Sequence, residues 1–209
     1  MEVILETQGL CKSFGEQKVN NDISLKLHKG EIMAILGENG SGKTTLINMI
    51  SGLYYPDKGR ILYKGKEVKI TSPKDADLLE IGVVHQHFQL VSNMSATENI
   101  EIALESHSFK DKNEIKNRIS DIAKKYKFNI NPDKKIYEMS VSEKQTMEII
   151  KAIIKGAEIL ILDEPTAVLT PRETESLFNI LKAMKEDGKS IIIITHKLNE
   201  VLEISDRVY

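Results

Sequence analysis

Three short stretches of the chain are apolar without interruption: IMAIL (Ile32 to Leu36), ILIL (Ile159 to Leu162) and IIIIT (Ile191 to Thr195). A strand with one wet face alternates apolar and polar residues, whereas a strand covered on both faces does not. These runs therefore predict strands of a parallel sheet. Helical spacing lies between them. Leu46, Ile47, Met49 and Ile50 fall on one helix face, and Leu177, Ile180, Leu181 and Met184 follow the i, i+3, i+4, i+7 pattern of an amphipathic helix that Gly188 ends. Strands alternating with helices predict an α/β fold. The start is different: Ile23, Leu25 and Leu27 alternate with polar residues in NDISLKLHKG, which predicts antiparallel strands. The middle is polar and lysine-rich and reads as helical, with Ile115, Ile119, Ile122 and Tyr126 in one stripe. The expected layout is an α/β core over 1–89 and 156–209 with a helical subdomain inserted at 90–155. The last residues, Glu200 to Tyr209, read as a helix leading into a further strand, which suggests the first domain of a longer, tandem protein.

Composition narrows the classes. The chain has 209 residues and is 41% hydrophobic, enough to bury a substantial core. Its 29 basic and 31 acidic residues leave a net charge of -2, so there is no overall electrostatic footprint for nucleic acid. Cys11 is the only cysteine, which excludes an internal disulfide and fits a reducing compartment. The opening MEVILETQGL lacks the basic flank and apolar stretch of a secretory signal. No segment approaches the ~20 apolar residues that cross a bilayer. A membrane role would have to run through a partner.

The stretch GENGSGKTT, Gly37 to Thr45, follows the first apolar run and precedes a helix. Gly37-x-x-x-x-Gly42-Lys43-Thr44 matches the P-loop, or Walker A, pattern in its strand–loop–helix context. Glycines there let the backbone wrap until the N–H groups of Asn39, Gly40, Ser41, Gly42 and Thr45 can face phosphate oxygens, and the helix start adds its positive end. Lys43 would reach the outer phosphates as a point charge, and the Thr44 hydroxyl would ligate Mg²⁺. Far downstream, the second apolar run ends in Asp163-Glu164-Pro165, the Walker B pattern. Asp163 would hold Mg²⁺ and Glu164 would polarise the attacking water. Alone, such a pair could instead cap the following helix; paired with a P-loop it reads as a nucleotide site. Both motifs sit at strand carboxyl ends, where open α/β sheets bind ligands.

With 139-MSVSEKQ-145 before the second motif and Thr195-His196 after it, the chain resembles, essentially end to end, the ATPase subunit of ABC transporters. That resemblance implies a P-loop NTPase (RecA-like) core, ATP with Mg²⁺, and hydrolysis at two composite sites between paired nucleotide-binding domains. It further implies that Phe14, in KSFGE, stacks on adenine, and that Gln86, in HQHF, senses Mg²⁺ and the γ-phosphate. His196 would contact the γ-phosphate. His85 and His87 flank Gln86, but histidines at i, i+2 with no carboxylate or cysteine beside them are a poor metal pattern. The family's signature L-S-G-G-Q is read here as Met139-Ser140-Val141-Ser142-Glu143. Ser140 and Ser142 would face ATP on the opposing domain, and Ser142 replaces a glycine that lets backbone approach phosphate closely. Ser140-x-x-Glu143 is also a capping box.

Within the family, EPTAVLTP (Glu164 to Pro171) looks like importers of sugars and nucleosides whose ATPase is a tandem of two such domains. VVHQHFQLV (Val83 to Val91) looks more like the nucleoside branch. Implied partners are permease subunits, a second nucleotide-binding domain and, indirectly, a solute-binding lipoprotein, with no nucleic acid. The implied location is the cytoplasmic face of the membrane.

Overall fold

The computed structural model describes residues 2–104 and 111–209. The expected segments 1–89 and 90–155 take in residue 1 and residues 105–110, which lie outside the described residues. Near the start, β1 (Val3–Phe14) and β2 (Gln17–His28) form a long antiparallel pair. β4 (Lys58–Tyr63) and β5 (Lys66–Val68) extend that sheet in the order β2-β1-β4-β5. The second sheet is parallel. It consists of β3 (Ile32–Leu36), β6 (Ile81–Val84), β7 (Ile159–Asp163), β8 (Ser190–Thr195) and β9 (Arg207–Val208), in the order β6-β7-β8-β3-β9.

The helices are α1 (Lys43–Ile50), α2 (Pro73–Leu78), α3 (Ala96–Ala103), α4 (Lys112–Tyr126), α5 (Val141–Ile154), α6 (Pro171–Glu186) and α7 (Leu198–Ile204). α3, α4 and α5 fall within the stretch expected to be a helical insert. The Ile115, Ile119, Ile122 and Tyr126 stripe is buried on α4.

The uninterrupted apolar runs have a direct cause. Leu160, Leu162, Ile191 and Ile193 face a core shared with Ile119, Met147 and Phe178. Their neighbours Ile159, Ile161, Ile192 and Ile194 face a second core, with Ile47 and Met49 of α1 and Leu5 and Leu27 of the antiparallel sheet. Alternation cannot appear because neither face is wet. Each fully buried isoleucine or leucine contributes roughly 1.5–3 kcal/mol of transfer free energy.

β6, with the sequence IGVV, was not anticipated by the apolar pattern, because Gly82 interrupts it. The glycine is there for packing. A Cβ on Gly82 would meet the Cβ atoms of Ala152 and Ala157 at 2.9 Å, so only glycine lets α5 lie this close to the sheet edge.

Candidate functional site

Strand register assembles the site. In the parallel sheet Leu36 pairs with Thr195, Asp163 with Ile194 and Val84 with Leu162. The residues that follow each strand, Gly37, His196, Glu164 and His85, therefore emerge together at one edge of the sheet. At that edge Gly37, Asn39 and His196 line one hollow, and beside it lies a cavity of about 290 Å³. Asn39, Gly40 and Gly42 to Thr45 line one side of it, and Gln86 and Glu164 line the other.

The loop side is built to receive an anion. α1 starts at Gly42 without a side-chain cap and with no acidic residue in its first turn. By contrast α2, α3, α5 and α6 each begin with a complete Ser or Thr capping box. The first-turn N–H groups of α1 thus open onto the cavity, and the helix dipole favours negative charge there. Gly42 has φ 93°, and a Cβ on it would meet Asn20 Nδ2 and the Val19 carbonyl at 2.9 Å. Asn20, itself buried, donates from Nδ2 to the Gly42 carbonyl at 3.2 Å and so ties the loop to β2. Lys43 is buried and its Nζ donates to the carbonyls of Gly37 at 2.8 Å and Glu38 at 2.7 Å. The loop's own oxygens hold the ammonium at the mouth of the cavity, where phosphate oxygens can compete for it.

Opposite stand the carboxylates. The Thr44 hydroxyl donates to Asp163 Oδ2 at 3.2 Å, joining the two halves of the site. Asp163 is 5% exposed. Burial pushes its carboxyl above the ordinary carboxylate value; the Thr44 bond opposes that, and the Glu164 charge adds to it. Among the described residues no three His, Cys, Asp or Glu side chains come together as a metal-holding group. An oxygen pair such as Thr44 and Asp163 suits Mg²⁺, which is usually held by one or two protein oxygens together with substrate phosphates. The donor set therefore fits a magnesium–nucleotide pair.

Glu164 has φ 46°, a left-handed backbone that costs a non-glycine residue about 1–3 kcal/mol. Its N–H donates to the Ile194 carbonyl at 3.0 Å, and its Oε1 lies 3.2 Å from His196 Nδ1. Behind these groups, Glu200 of α7 is 8% exposed. Its carboxylate accepts from Thr166 at 2.7 Å and Thr195 at 3.0 Å, and pairs with Lys197 at 2.9 Å. Nothing in the sequence marked Glu200, because a lone glutamate on a short helix reads as a surface residue. Asn20 was unmarked too, because a lone asparagine near the start of a strand reads as solvent-facing.

Gln86 is exposed at the cavity rim. Its loop is bound to α5, where the buried Glu148 accepts from Gln89 N–H at 2.6 Å and Lys151 donates to the Gln89 carbonyl at 3.1 Å. Phe14 lies outside the cavity lining. It is 45% exposed, with its ring edge-on to Tyr54 at 5.3 Å. Ser140 and Ser142 are not brought to this cavity either. Ser140 caps α5, with its hydroxyl accepting from Glu143 N–H at 3.2 Å, and Ser142 lines a separate hollow beside α6.

The ABC transporter family model matches residues 20–167, a span that takes in the glycine loop and the Asp163–Glu164 pair. The chain belongs to the ABC transporter family. Among its relatives, a guanosine import ATP-binding protein of Bacillus subtilis is 46% identical over 210 residues, covering 100% of this chain and 41% of that protein. A nucleoside import ATP-binding protein of Lactococcus lactis is 44% identical, covering 99% and 41%. A ribose import ATP-binding protein of Caldanaerobacter subterraneus is 41% identical, covering 99% and 42%. The chain thus spans about two-fifths of the length of these relatives. Among solved structures, a nucleotide-free ATP-binding cassette from an ABC transporter superposes with a TM-score of 0.89 at 29% identity, covering 100% of this chain and 87% of that one. The ADP conformation of another such cassette gives 0.88 at 30%, with the same coverage. The P-loop fold is therefore that of an ABC ATPase cassette.

Proposed function

We propose that this chain is the ATP-binding and ATP-hydrolysing domain of an ABC importer for nucleosides. In this reading it works at the cytoplasmic face of the membrane through permease subunits. It pairs with a second nucleotide-binding domain, and a solute-binding lipoprotein delivers the solute. No helix among the described residues is long and apolar enough to cross a membrane, which agrees with attachment through a partner.

The observation that carries the hydrolytic reading is Glu164. Its carboxylate stands across the cavity from the glycine loop, with His196 3.2 Å away. Phosphoryl transfer to water depends on positioning and charge neutralisation rather than covalent chemistry. The uncapped start of α1 and Lys43 bind and orient the outer phosphates. Thr44 and Asp163 would hold Mg²⁺ and Gln86 would sense it; the ion would supply neutralisation of charge on the phosphate oxygens. Glu164 accepts a hydrogen bond from the attacking water, and His196 orients that carboxylate. Phe14 contributes its open face to adenine, and residues 90–155 move as the subdomain that relays closure to the permease. Ser140 and Ser142 contact nucleotide on the paired domain.

Glu164→Gln should keep Mg-ATP affinity within about twofold and lower kcat by about 10²-fold or more, as loss of a general base does. Lys43→Ala should weaken binding itself. Calorimetry and phosphate release separate the two effects, and undiminished turnover in the Glu164 variant would refute its role.

Nucleosides are preferred to sugars on the names of the two relatives with the highest identities cited, and on VVHQHFQLV; uptake of labelled guanosine against labelled ribose tests this. A second reading, a nucleotide-binding module with weak turnover, is favoured by Ser142 at the glycine position of the signature. Ser142→Gly should then raise turnover.

A further inference from the structure

We propose that Glu200 is a positioning residue of the hydrolytic site, clamping the loop that carries Glu164 to the strand end that carries His196. The proposal rests on the hydrolytic reading above.

The two side chains that meet at 3.2 Å follow different strands, and the Glu164 side chain is 15% exposed. His196 is 40% exposed, and Glu164 sits in a left-handed turn past the end of β7. Their backbones are joined by the Glu164 N–H bond to the Ile194 carbonyl at 3.0 Å, and their side chains by the 3.2 Å contact. On the buried side Glu200 ties them together. Thr166, two residues beyond Glu164, gives its hydroxyl proton to the Glu200 carboxylate, with both oxygens at 2.7 Å. Thr195, immediately before His196, donates to Oε2 at 3.0 Å. Lys197, immediately after His196, completes the knot. Its Nζ pairs with Oε1 at 2.9 Å and donates to the Thr166 carbonyl at 3.1 Å, while its N–H donates to Thr195 Oγ1 at 3.1 Å.

One carboxylate thus accepts from both loops at once, and the charge it brings indoors is matched by Lys197. A buried carboxylate with every donor satisfied is rigid, and losing it leaves several donors unpaired. A displacement near 1 Å at a reacting group can cost about 10²-fold in rate. The knot touches neither the glycine loop nor Asp163, so it bears on orientation of the water-activating pair rather than on nucleotide binding.

The test uses the full-length protein. Glu200→Gln keeps the side-chain volume but cannot accept from all three donors, and Thr166→Val removes one tie independently. Both should leave Mg-ATP affinity within about twofold and lower kcat roughly 10- to 100-fold. In a His196→Ala background, Glu200→Gln should lower kcat by less than about twofold more, because the pair it aligns is already gone. The imidazole resonances of His196 in nucleotide-free protein, assigned through His196→Ala, should shift in both single variants. Unchanged kcat, an equal loss in both backgrounds, or unmoved His196 resonances would each overturn the assignment. If the parent protein binds Mg-ATP without turning it over, the hydrolytic reading fails instead, and the His196 resonances alone decide whether Glu200 positions that ring.

Discussion

Asp163 is held above the ordinary carboxylate value mainly by burial, and its partner Thr44 offsets only part of that. Its folded-state pKa therefore exceeds its unfolded one. Between the two values the native state binds more protons, so stability falls as pH rises through that window, and the full penalty persists at neutral pH. A bound divalent cation removes it. Asp163→Asn should therefore raise the melting temperature of the nucleotide-free protein at neutral pH. The same change should abolish the Mg²⁺-dependent part of stabilisation by ATP. Scanning calorimetry with and without Mg-ATP measures both, and a lower melting temperature would contradict this account. At this scale the residue types were legible: three glycines, a lysine and a threonine after a buried run match the phosphate-binding loop pattern. The left-handed turn at Glu164 was not, since no local residue preference asks for it and the Ile194 carbonyl that holds it lies on another strand.

Among the elements, helix starts carry much of the chemistry. Ser140-x-x-Glu143 was readable as a capping box and is one. Ser95 and Glu98 form another at α3, where the Ser95 N–H and then Lys135 hold the Glu98 carboxyl down at about 2, from 4.5. Because the folded value lies below the unfolded one, the contribution is complete above pH 4.5 and fades as pH falls toward about 2. Acidification through that window should open the start of α3 and free Lys135. Glu98→Gln should weaken α3 at neutral pH and flatten the acid dependence, as read by amide exchange of residues 96–100. A dependence identical in the variant would assign the effect elsewhere. Helices with boxes satisfy first-turn N–H groups locally; α1 has none, and its first turn lines the cavity. That contrast requires the structure, because Gly42 could begin a capped or an uncapped helix.

At the scale of the whole molecule, the described residues form two cores separated by one parallel sheet. Phe178 joins one of them, packed with residues of the sheet and of α5, although the spacing of α6 marked only Leu177, Ile180, Leu181 and Met184. Phe178→Ala should cost about 3–5 kcal/mol, measured by denaturant unfolding. A loss under about 1 kcal/mol would mean the core collapses around the gap. Because that core joins the sheet to α4 and α5, the variant should also loosen α4 in amide exchange.

Taken alone, the sequence determined the residue chemistry and the class of fold. Glycine, lysine and carboxylate at fixed spacing, and apolar runs lacking alternation, are local patterns set by backbone sterics and by which faces must be dry. Only the tertiary structure decided the site itself. Gly37, Gln86, Glu164 and His196 are far apart in the chain and meet because parallel register aligns the ends of β3, β6, β7 and β8. Glu200 has Thr195 and Lys197 close by in the chain, but acquires Thr166 only when α7 packs against the loop after β7. Register and burial are properties of non-local pairing, so no window along the chain contains them.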